Sequence, residues 1–412
     1  MGGFEMPKAL VLHQYFHPDD VVSAQQYADL CLGLKDRGWD VKVMPCNRGC
    51  RDESLEHPMK EIWNGIEIRR IWRPAFRQAS QPGRILNSIW MLMAWSMAAL
   101  RHRTDVVIIG TDPIFAVLAA IPWRFMRPGA LIFHWCFDLH PEAAVADGIF
   151  TAGNPVLRVA RWLLRAAYRC CDLVGSIGNC MSRRLRLYDS KMPIEIYTPW
   201  ALLEPVASLR TDPQLRREVF GDAKLALMYS GNFGRAHAFD EILALARELR
   251  DQGARFAFSV RGNRCQALKE AVTAEDTNIA FVDFAPQDQL EQRLSAADIH
   301  VVSLREEFCG TVVPSKFQGS IASGRPILFA GPPESSVGQW IQEFGLGWII
   351  TKSNIQEVAA KLLQWKSEVA TREAHNEHCF QIYRKHFSKD AILNRLDAAL
   401  KENLSLHRHP SR

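Results

Sequence analysis

The chain has 412 residues, more than one hydrophobic core usually spans, so its length predicts two or three domains. Apolar residues make up 48% and charged residues 23%, which excludes a disordered, collagen-like or coiled-coil chain. The formal net charge of +5 is far below the basicity of a dedicated nucleic-acid binder, so no nucleic-acid partner is expected.

The ten cysteines are scattered through apolar segments and are interpreted as reduced core residues. Only Cys46 and Cys50 approach the spacing of metal ligands, and no second pair follows at a zinc-finger interval, so no metal site is expected. The first residues lack the features of a secretory signal, which favours a cytoplasmic chain. The most apolar segment, residues 85–100, is short for a bilayer span of about 20 residues.

The N-terminal half alternates apolar runs with amphipathic segments, beginning with a βαβ unit in the first residues. This alternation is typical of a parallel sheet covered by helices. Strands are predicted at 9–13, 38–45, 105–110, 130–135, 172–176 and 194–197. Helices are predicted at 23–37, from 115 onward, and at 182–187.

A second series begins after a polar stretch at 204–224. Strands are predicted at 225–230, 256–260, 279–282, 299–302, 326–329 and 348–350, with helices at 239–252, 287–296, 315–322 and 356–370. The fold class is therefore α/β, with two Rossmann-like doubly wound domains facing a cleft. The expected bounds are 1–203, 204–373, and a C-terminal helix and polar tail, 374–412.

The segment 229–241 leaves a predicted strand and enters a predicted helix. Gly231 and Gly234 permit close approach of a ligand to the backbone, and Arg235 with the following helix N-terminus offers positive potential to a diphosphate. A tight turn without a ligand is the alternative interpretation.

A second segment, 305–328, carries two carboxylates after a predicted strand and then Gly310 and Thr311, which can present backbone amides. Lys316 places a cation at the start of the next predicted helix. Carboxylates bind sugar hydroxyls, whereas amides and cations neutralise phosphates. Together the two segments predict a nucleotide-sugar site.

These motifs resemble the retaining glycosyltransferases of group 1, with the two-domain GT-B architecture, and within them the WcaI-like and WbuB-like subgroup of surface polysaccharide synthesis. The resemblance spans the chain and rests on Gly-Asn-Phe-Gly-Arg-Ala-His at 231–237, on Gly-Thr-Val-Val-Pro-Ser-Lys at 310–316 with Gly-Arg-Pro at 324–326, and on Phe-Asp-Leu-His-Pro-Glu at 137–142. It implies an acceptor-side N-terminal domain, a donor-binding second domain, and a C-terminal helix that returns to the first.

The resemblance also implies roles for individual residues. Arg235 and Lys316 would hold the donor diphosphate and Glu307 the sugar hydroxyls. The amides around Gly310, Thr311 and Val312 would bind sugar and phosphate oxygens. Asp138 is the candidate for orienting or deprotonating the acceptor, and a capping or core-bonded role is its alternative.

The sequence departs from the family at several positions. Asn232 and His237 stand where many members carry Arg and Lys, so the phosphate clamp would depend on Arg235 and Lys316. No second Glu follows Glu307 at the usual spacing, which leaves Glu334 as a substitute for ribose contact. The loop 283–286, with Phe284, is expected to flank the base.

The implied reaction is a metal-independent, retaining transfer from a nucleotide sugar, with uridine as the family expectation and with no cofactor besides that donor. The acceptor would be a glycan or a lipid-linked sugar. A nucleotide-sugar epimerase or hydrolase of the same fold, or a non-catalytic binding subunit of a membrane synthase, are the alternatives.

Two basic stretches suggest where a membrane would lie. Residues 69–103 contain seven arginines and no acidic residue, and residues 158–169 place arginines at helical spacing beside aromatic side chains. Such amphipathic segments suit an anionic membrane surface on the cytoplasmic side, whereas ordinary helices with a solvated arginine face are the alternative.

Overall fold

The computed structural model describes residues 6–78, 80–285 and 289–408. The chain divides into two compact units. The first comprises Met1–Thr198 with Ile392–Arg412, and the second comprises Pro199–Ala391. Each unit has its own sheet, and the expectation of two doubly wound α/β domains is confirmed.

The first unit is built on an eight-stranded sheet with the order β3-β4-β2-β1-β5-β6-β7-β8. Every pairing in it is parallel except that between β3 and β4. The central strands are apolar throughout because helices cover both faces of a parallel sheet. The strands are β1 (Lys8–Leu12), β2 (Asp40–Val43), β3 (Lys60–Trp63), β4 (Ile66–Arg69), β5 (Val106–Ile109), β6 (Leu131–Trp135), β7 (Leu173–Ser176) and β8 (Ile194–Ile196).

The β3–β4 hairpin is absent from the sequence-based prediction. Its turn is Asn64-Gly65, and both residues have positive φ angles, 48° and 77°. An Asn-Gly pair between alternating strands is a strong hairpin signal, so the sequence did contain the information.

Helices of the first unit follow the strands in the expected alternation. The apolar segment 85–100 lies within α2, and none of the helices in the described part of the chain combines the length and apolarity that crossing a membrane requires. The helices are α1 (Val22–Asp36), α2 (Gln81–Arg101), α3 (Ala120–Met126), α4 (Glu142–Ala146), α5 (Pro155–Tyr168) and α6 (Asn179–Leu185).

The second unit has a six-stranded, wholly parallel sheet with the order β11-β10-β9-β12-β13-β14. Renumbered from its first strand, this is the order 3-2-1-4-5-6 of dinucleotide-binding folds. The strands are β9 (Leu225–Asn232), β10 (Ala254–Arg261), β11 (Ile279–Phe281), β12 (Ile299–Ser303), β13 (Ile327–Ala330) and β14 (Gly347–Ile350). The helices are α7 (Pro213–Phe220), α8 (Asp240–Glu248), α9 (Cys265–Ala271), α10 (Leu290–Ser295), α11 (Lys316–Ala322), α12 (Ser336–Phe344), α13 (Ile355–Ser367) and α14 (Val369–Ile382).

The last helix, α15 (Lys389–Arg408), returns to the first unit. There Trp39 donates its indole N–H to the Asp397 carboxylate at 2.7 Å, and Leu393 packs against Gly33 of α1. The unit bounds, 198 and 392, differ from the expected 203 and 374, because α14 packs on α11 and α13 within the second unit.

Several predictions reach the edges of the described chain. α15 continues to Arg408, beyond the expected start of a polar tail, and Leu404 in it is buried. His409 and Pro410 of that tail lie outside the described residues, as do Pro286 and residues 287–288 of the helix predicted at 287–296. All ten cysteines are free thiols; six are buried, in agreement with a core position, and four are half-buried.

Gly33 is required by the packing of α15. An added Cβ at Gly33 would lie 2.2 Å from Cδ1 of Leu393, so Gly33→Ala is expected to destabilise the protein by about 1–3 kcal/mol through overpacking. Urea denaturation would measure this loss. Gly129→Ala, where a Cβ meets nothing within 4 Å, is the matched control. Equal stability of the two variants would contradict the packing of α15 on α1.

Candidate functional site

In the second sheet the strand order reverses between β9 and β12. At such a switch point the connections of two neighbouring strands leave toward opposite faces and open a crevice at the carboxyl ends. Residues 231–237 begin in the last two residues of β9 and run on beyond it, and residues 304–316 follow the end of β12. The two motif segments of the sequence therefore leave neighbouring strands.

Lys316 joins the two segments. Its ammonium Nζ donates a hydrogen bond to the backbone carbonyl of Asn232 at 2.7 Å and lies 5.1 Å from the centre of the Tyr229 ring. Burial lowers the pKa of Lys316 to about 8. The ammonium is thus only partly solvated, which increases its attraction for an anion.

His237 is the second side chain that holds Lys316. Its Nδ1 lies 2.7 Å from the Ser303 carbonyl oxygen and its Nε2 lies 3.4 Å from Lys316 Nζ. Burial, followed by the charge of Lys316, lowers the pKa of His237 to about 3. The ring is therefore neutral with its proton on Nδ1, and its bare Nε2 accepts from the ammonium.

Gly231 makes this arrangement possible at the end of β9. Its φ is +122°, in the region that favours glycine, and an added Cβ would lie 3.1 Å from Cε of Lys316. The glycine therefore provides the space in which the lysine chain crosses the strand end. Gly234 lies close to the Asn232 side chain, because a Cβ added at Gly234 would be 3.1 Å from Nδ2 of Asn232.

Arg305 connects the loops further. Its backbone N–H donates to the Ala236 carbonyl at 2.8 Å and its guanidinium donates to the Arg235 carbonyl at 3.1 Å. The Arg235 residue is exposed. Arg264, which follows β10, donates to the His237 carbonyl. Three arginines thus accompany Lys316 at this edge of the sheet.

The expected helix N-terminus after Arg235 is less positive than predicted. The first turn of α8 carries Asp240 and Glu241, whose carboxylates compensate the helix dipole there. The positive potential of this edge therefore depends on the side chains of lysine and arginine rather than on α8.

Glu307 lies in a single 3-10 turn, Glu306–Phe308, directly after β12. Its carboxylate is exposed and lies 3.3 Å from Arg305. A hydrogen bond from its own amide, together with Arg305, lowers the pKa of Glu307. The side chain is therefore ionised and open to a sugar hydroxyl.

The turn that follows Glu307 uses the predicted amides only in part. Gly310 has φ of +78°, and Val312 is half-buried. The Thr311 amide and hydroxyl both donate to the Phe308 carbonyl, at 3.0 and 2.9 Å. The amide of Thr311 is therefore bonded within the loop, contrary to the expectation that it is available to a ligand.

The two remaining predicted residues lie in loops that follow other strands of this sheet. Phe284 follows β11, is half exposed, and packs under the Arg261 guanidinium at 5.0 Å from the ring centre. Glu334 is exposed between β13 and α12. Both follow carboxyl ends of strands of the same sheet as Lys316.

In the first unit, Asp138 follows β6 and helps to line a small cavity with Thr111, His134, His140 and Tyr168. Desolvation, with a contribution from the charge of Asp112, raises the pKa of Asp138 to about 7, although the residue retains solvent-exposed area. A carboxylate with such a pKa can accept a proton near neutral pH.

Thr111 fixes the loop of Asp138. Its hydroxyl accepts from the Phe137 amide at 2.7 Å and donates to the Trp135 carbonyl at 3.1 Å. These two bonds join the ends of β5 and β6. They fix the backbone of Phe137, the residue that precedes Asp138.

His13 occupies the carboxyl end of β1, the strand next to β5. It is fully buried, stacks on Tyr27 at 3.9 Å, and places Nε2 3.7 Å from the Asp112 carboxylate. Burial lowers the pKa of His13 to about 4, so the ring is neutral. Gly110 is necessary here, because a Cβ would lie 2.2 Å from His13 Nδ1.

Sequence reasoning missed Tyr229, Ser303, Arg264 and Arg305 as parts of the donor-side arrangement, and treated His237 only as a departure from the family. The Arg-Gly-Asn-Arg run that ends β10 was a usable signal for Arg264, since it resembles the strand-to-helix segment at 231–235. Within the described residues, no three His, Cys, Asp or Glu side chains cluster so that they could hold a metal ion.

Comparison with known proteins agrees with this arrangement. A family model described as a glycosyl transferase 4-like domain matches residues 23–193. The two α/β domains have the GT-B fold, and the resemblance to group 1 glycosyltransferases that the motifs indicated is confirmed.

Individual relatives are distant. A probable glycosyltransferase, WbjE of Pseudomonas aeruginosa, is 26% identical over 263 residues, which span 62% of this chain and 65% of WbjE. The putative colanic acid biosynthesis glycosyl transferase WcaI of Escherichia coli is 23% identical over 71% of this chain and 75% of WcaI. The structure of Anabaena HepE in complex with UDP and glucose has a TM-score of 0.64 at 14% identity, covering 96% of this chain and all of HepE.

The lowered pKa of Lys316 makes anion binding dependent on pH. Because the ammonium loses its charge as pH rises through about 8, the affinity for inorganic pyrophosphate is expected to fall between pH 7 and 9. Isothermal titration calorimetry would measure this. Lys316→Arg keeps its charge across the range and controls for ionisation of the ligand, so its profile should be flatter. Identical profiles would contradict the role of Lys316.

Proposed function

We propose that this protein is a retaining glycosyltransferase that moves a sugar from a UDP-sugar to a glycan or lipid-linked acceptor in cell-surface polysaccharide synthesis. The observation that carries the donor assignment is the convergence of Lys316, His237 and the Asn232 carbonyl at the switch point of the second sheet. The complex of HepE with UDP and glucose supports uridine as the base.

In this proposal the donor diphosphate lies against Lys316 and the exposed Arg235. Negative charge develops on the leaving diphosphate as the glycosidic bond breaks, and fixed cations stabilise that charge, which is worth about 3–4 kcal/mol for one well-placed donor. His237 contributes by holding the ammonium in place without adding a competing charge. No metal ion is needed for this step, because Lys316 and Arg235 supply the positive charge.

Glu307 is proposed to bind hydroxyls of the donor sugar, since it is ionised, exposed and next to the same strand end. Phe284 and Arg261 flank the base, and Glu334 contacts the ribose. Retention follows if the acceptor attacks the face from which the diphosphate departs.

Asp138 is proposed to accept the proton of the attacking hydroxyl in the first domain. Its pKa of about 7 is matched to that task near neutral pH. The ionised form predominates above this pH, so transfer should decline as pH falls through about 7.

Variants of the two domains separate donor binding from transfer. Lys316→Ala should lower turnover of the UDP-sugar by about 10²–10³-fold, because charge stabilisation on the diphosphate is lost. Asp138→Asn should lower transfer while UDP affinity is retained. Lys361→Ala, which removes an exposed lysine of the same domain, is the control. Radiolabel transfer and UDP calorimetry are the measurements.

The same assay distinguishes the alternatives. A nucleotide-sugar epimerase or hydrolase would consume the donor at the same rate with and without acceptor, and a non-catalytic subunit would consume none. NMR of the product anomer tests retention. An inverted product, or full activity of Lys316→Ala, would contradict the proposal.

The first domain also presents an apolar face that we assign to an anionic membrane surface. One side of α2 is buried through Met91, Trp95 and Ala99, whereas the other side exposes a continuous stripe of large apolar residues. A groove lined almost wholly by apolar side chains runs between α2 and the turn Ala116–Ala119. The stripe comprises Ile85, Leu86, Ile89, Trp90, Met93, Met97 and Leu100.

Charge supports this assignment. α2, α3 and α5 contain arginines and no acidic residue. Arg161 and Arg169 are paired with Glu142 and Asp189, but Arg158 and Arg165 of α5 are exposed beside Trp162. Exposed apolar residues with basic neighbours favour the interface of an anionic bilayer.

Met93→Asp is expected to abolish binding to vesicles that contain anionic phospholipid, because it places a carboxylate in the middle of the stripe. Co-sedimentation would measure the bound fraction. Val206→Asp changes a still more exposed apolar residue of the other domain and should bind as the unaltered protein does. Equal binding of both variants would show that α2 does not contact lipid.

A further inference from the structure

Arg73 is a buried arginine without a counter-ion. Its side chain is 0% exposed, and all three guanidinium nitrogens lack a hydrogen-bond partner among the described residues. An unpaired buried charge is among the least favourable features of a folded protein. A guanidinium also carries five N–H donors that are strongly suited to phosphate and carboxylate oxygens.

Neighbouring arginines show that the absence of a partner is specific to Arg73. Arg48 is paired with Glu56 at 2.7 Å, and Arg70 with Glu61 at 2.7 Å. These three arginines come from the same end of the first sheet. Only Arg73 among them has no carboxylate, although it is the most deeply buried.

Two side chains beside the Arg73 guanidinium are uncharged. It lies near the Cys46 thiol and the Tyr15 phenol, and burial raises the pKa of both above their ordinary values, so both are neutral. Asn47 fixes the backbone, because its side-chain oxygen accepts from the Arg73 amide at 2.9 Å. The backbone of Arg73 is therefore fixed. The carboxylates of Asp19 and Asp112 act on Cys46 and Tyr15, respectively, without a hydrogen bond to the guanidinium.

Its position in the fold is that of a ligand site. Arg73 follows the carboxyl end of β4, Cys46 follows β2, and Tyr15 follows β1, and these are neighbouring strands of the sheet. Ligands of open α/β sheets bind at this edge. Tyr15 accepts a hydrogen bond from the half-buried Gln78 at 3.2 Å, so the phenol is joined to a side chain that reaches the surface.

The same segment borders the apolar face of α2. Trp72, next to Arg73 in the chain, is half exposed and packs edge-on against Trp90 at 5.4 Å. The Trp90 indole donates to the Trp72 carbonyl at 2.7 Å. Arg73 is thus next in the chain to a tryptophan that packs on the exposed stripe. A buried cation beside an apolar surface suits an amphiphile with a phosphate head and a hydrocarbon chain.

We infer that Arg73 binds a phosphate group of the acceptor, with Gln78 and Tyr15 moving aside to admit it. This inference rests on the proposed function for the identity of the acceptor, but anion binding at Arg73 does not. The phosphate belongs to a lipid-linked sugar or to a water-soluble sugar phosphate, and the chemistry at the guanidinium is the same for both.

The test uses the full chain with Lys316→Ala, which weakens the diphosphate site of the second domain. Inorganic pyrophosphate and a short-chain isoprenyl diphosphate are the two probes, and calorimetry measures their affinities. Adding Arg73→Met should weaken both by about tenfold or more, since charge-assisted hydrogen bonds are lost. Adding Arg70→Met should leave them within about twofold, because the guanidinium of Arg70 is already bonded to Glu61 and to two backbone carbonyls.

The two probes distinguish a lipid-linked phosphate from a water-soluble one. Tighter binding of the isoprenyl diphosphate, which is lost on further addition of Met93→Asp, indicates a lipid-linked acceptor, whereas equal affinities indicate a soluble phosphate. Without ligand, Arg73→Met should melt no lower than its parent, because it removes an unpaired buried charge. If Arg73→Met does not fold, Arg73→Lys serves instead and should weaken binding less than tenfold.

Unchanged affinities in Arg73→Met, or no measurable binding of either probe to Lys316→Ala, would overturn the inference. Neither outcome concerns UDP binding or donor turnover, which depend on the second domain. Failure of the Arg73 site and failure of the glycosyltransferase proposal are therefore distinguishable.

Discussion

The arrangement at the switch point of the second sheet depends on one hydrogen-bonded contact, the Lys316 ammonium between the Asn232 carbonyl and Nε2 of His237. The contact requires a neutral histidine, and burial beside the rings of Phe233 and Tyr229, together with the charge of Lys316, keeps the ring neutral. It also requires Gly231, because a side chain there would displace the lysine. A cation so held attracts an anion without a rearrangement of its own.

The strand ends of the two sheets carry side chains of different charge. In the second, exposed or partly solvated cations gather where β9 and β12 diverge, which suits a highly charged diphosphate. In the first, the corresponding strand ends of β1, β5 and β6 carry neutral His13 and the high-pKa carboxyl of Asp138. Neutral and weakly acidic groups suit proton transfer from a hydroxyl. The proposed glycosyl transfer would need both kinds of chemistry, one from each domain.

The arginines of segment 69–103 differ in their burial and in their ion pairs. Arg69 and Arg70 are paired with carboxylates of the β3–β4 hairpin, and Arg73 is buried without one. The sequence pattern treated them as one basic surface. The hairpin, which the pattern missed, supplies the acids Glu61 and Glu67 that neutralise two of them.

The sequence by itself determined the two α/β domains, the strands that carry the motifs, and the identity of Lys316, Arg235 and Glu307 as candidates, because apolar periodicity and glycine-rich strand ends are local signals. Only the tertiary structure decided that His237 supports Lys316 rather than merely replacing a family lysine, that the Thr311 amide is already bonded, and that Arg73 has no partner. These facts depend on strand order, which brings residues far apart in the chain to neighbouring strand ends, and no local pattern specifies which side chains then meet.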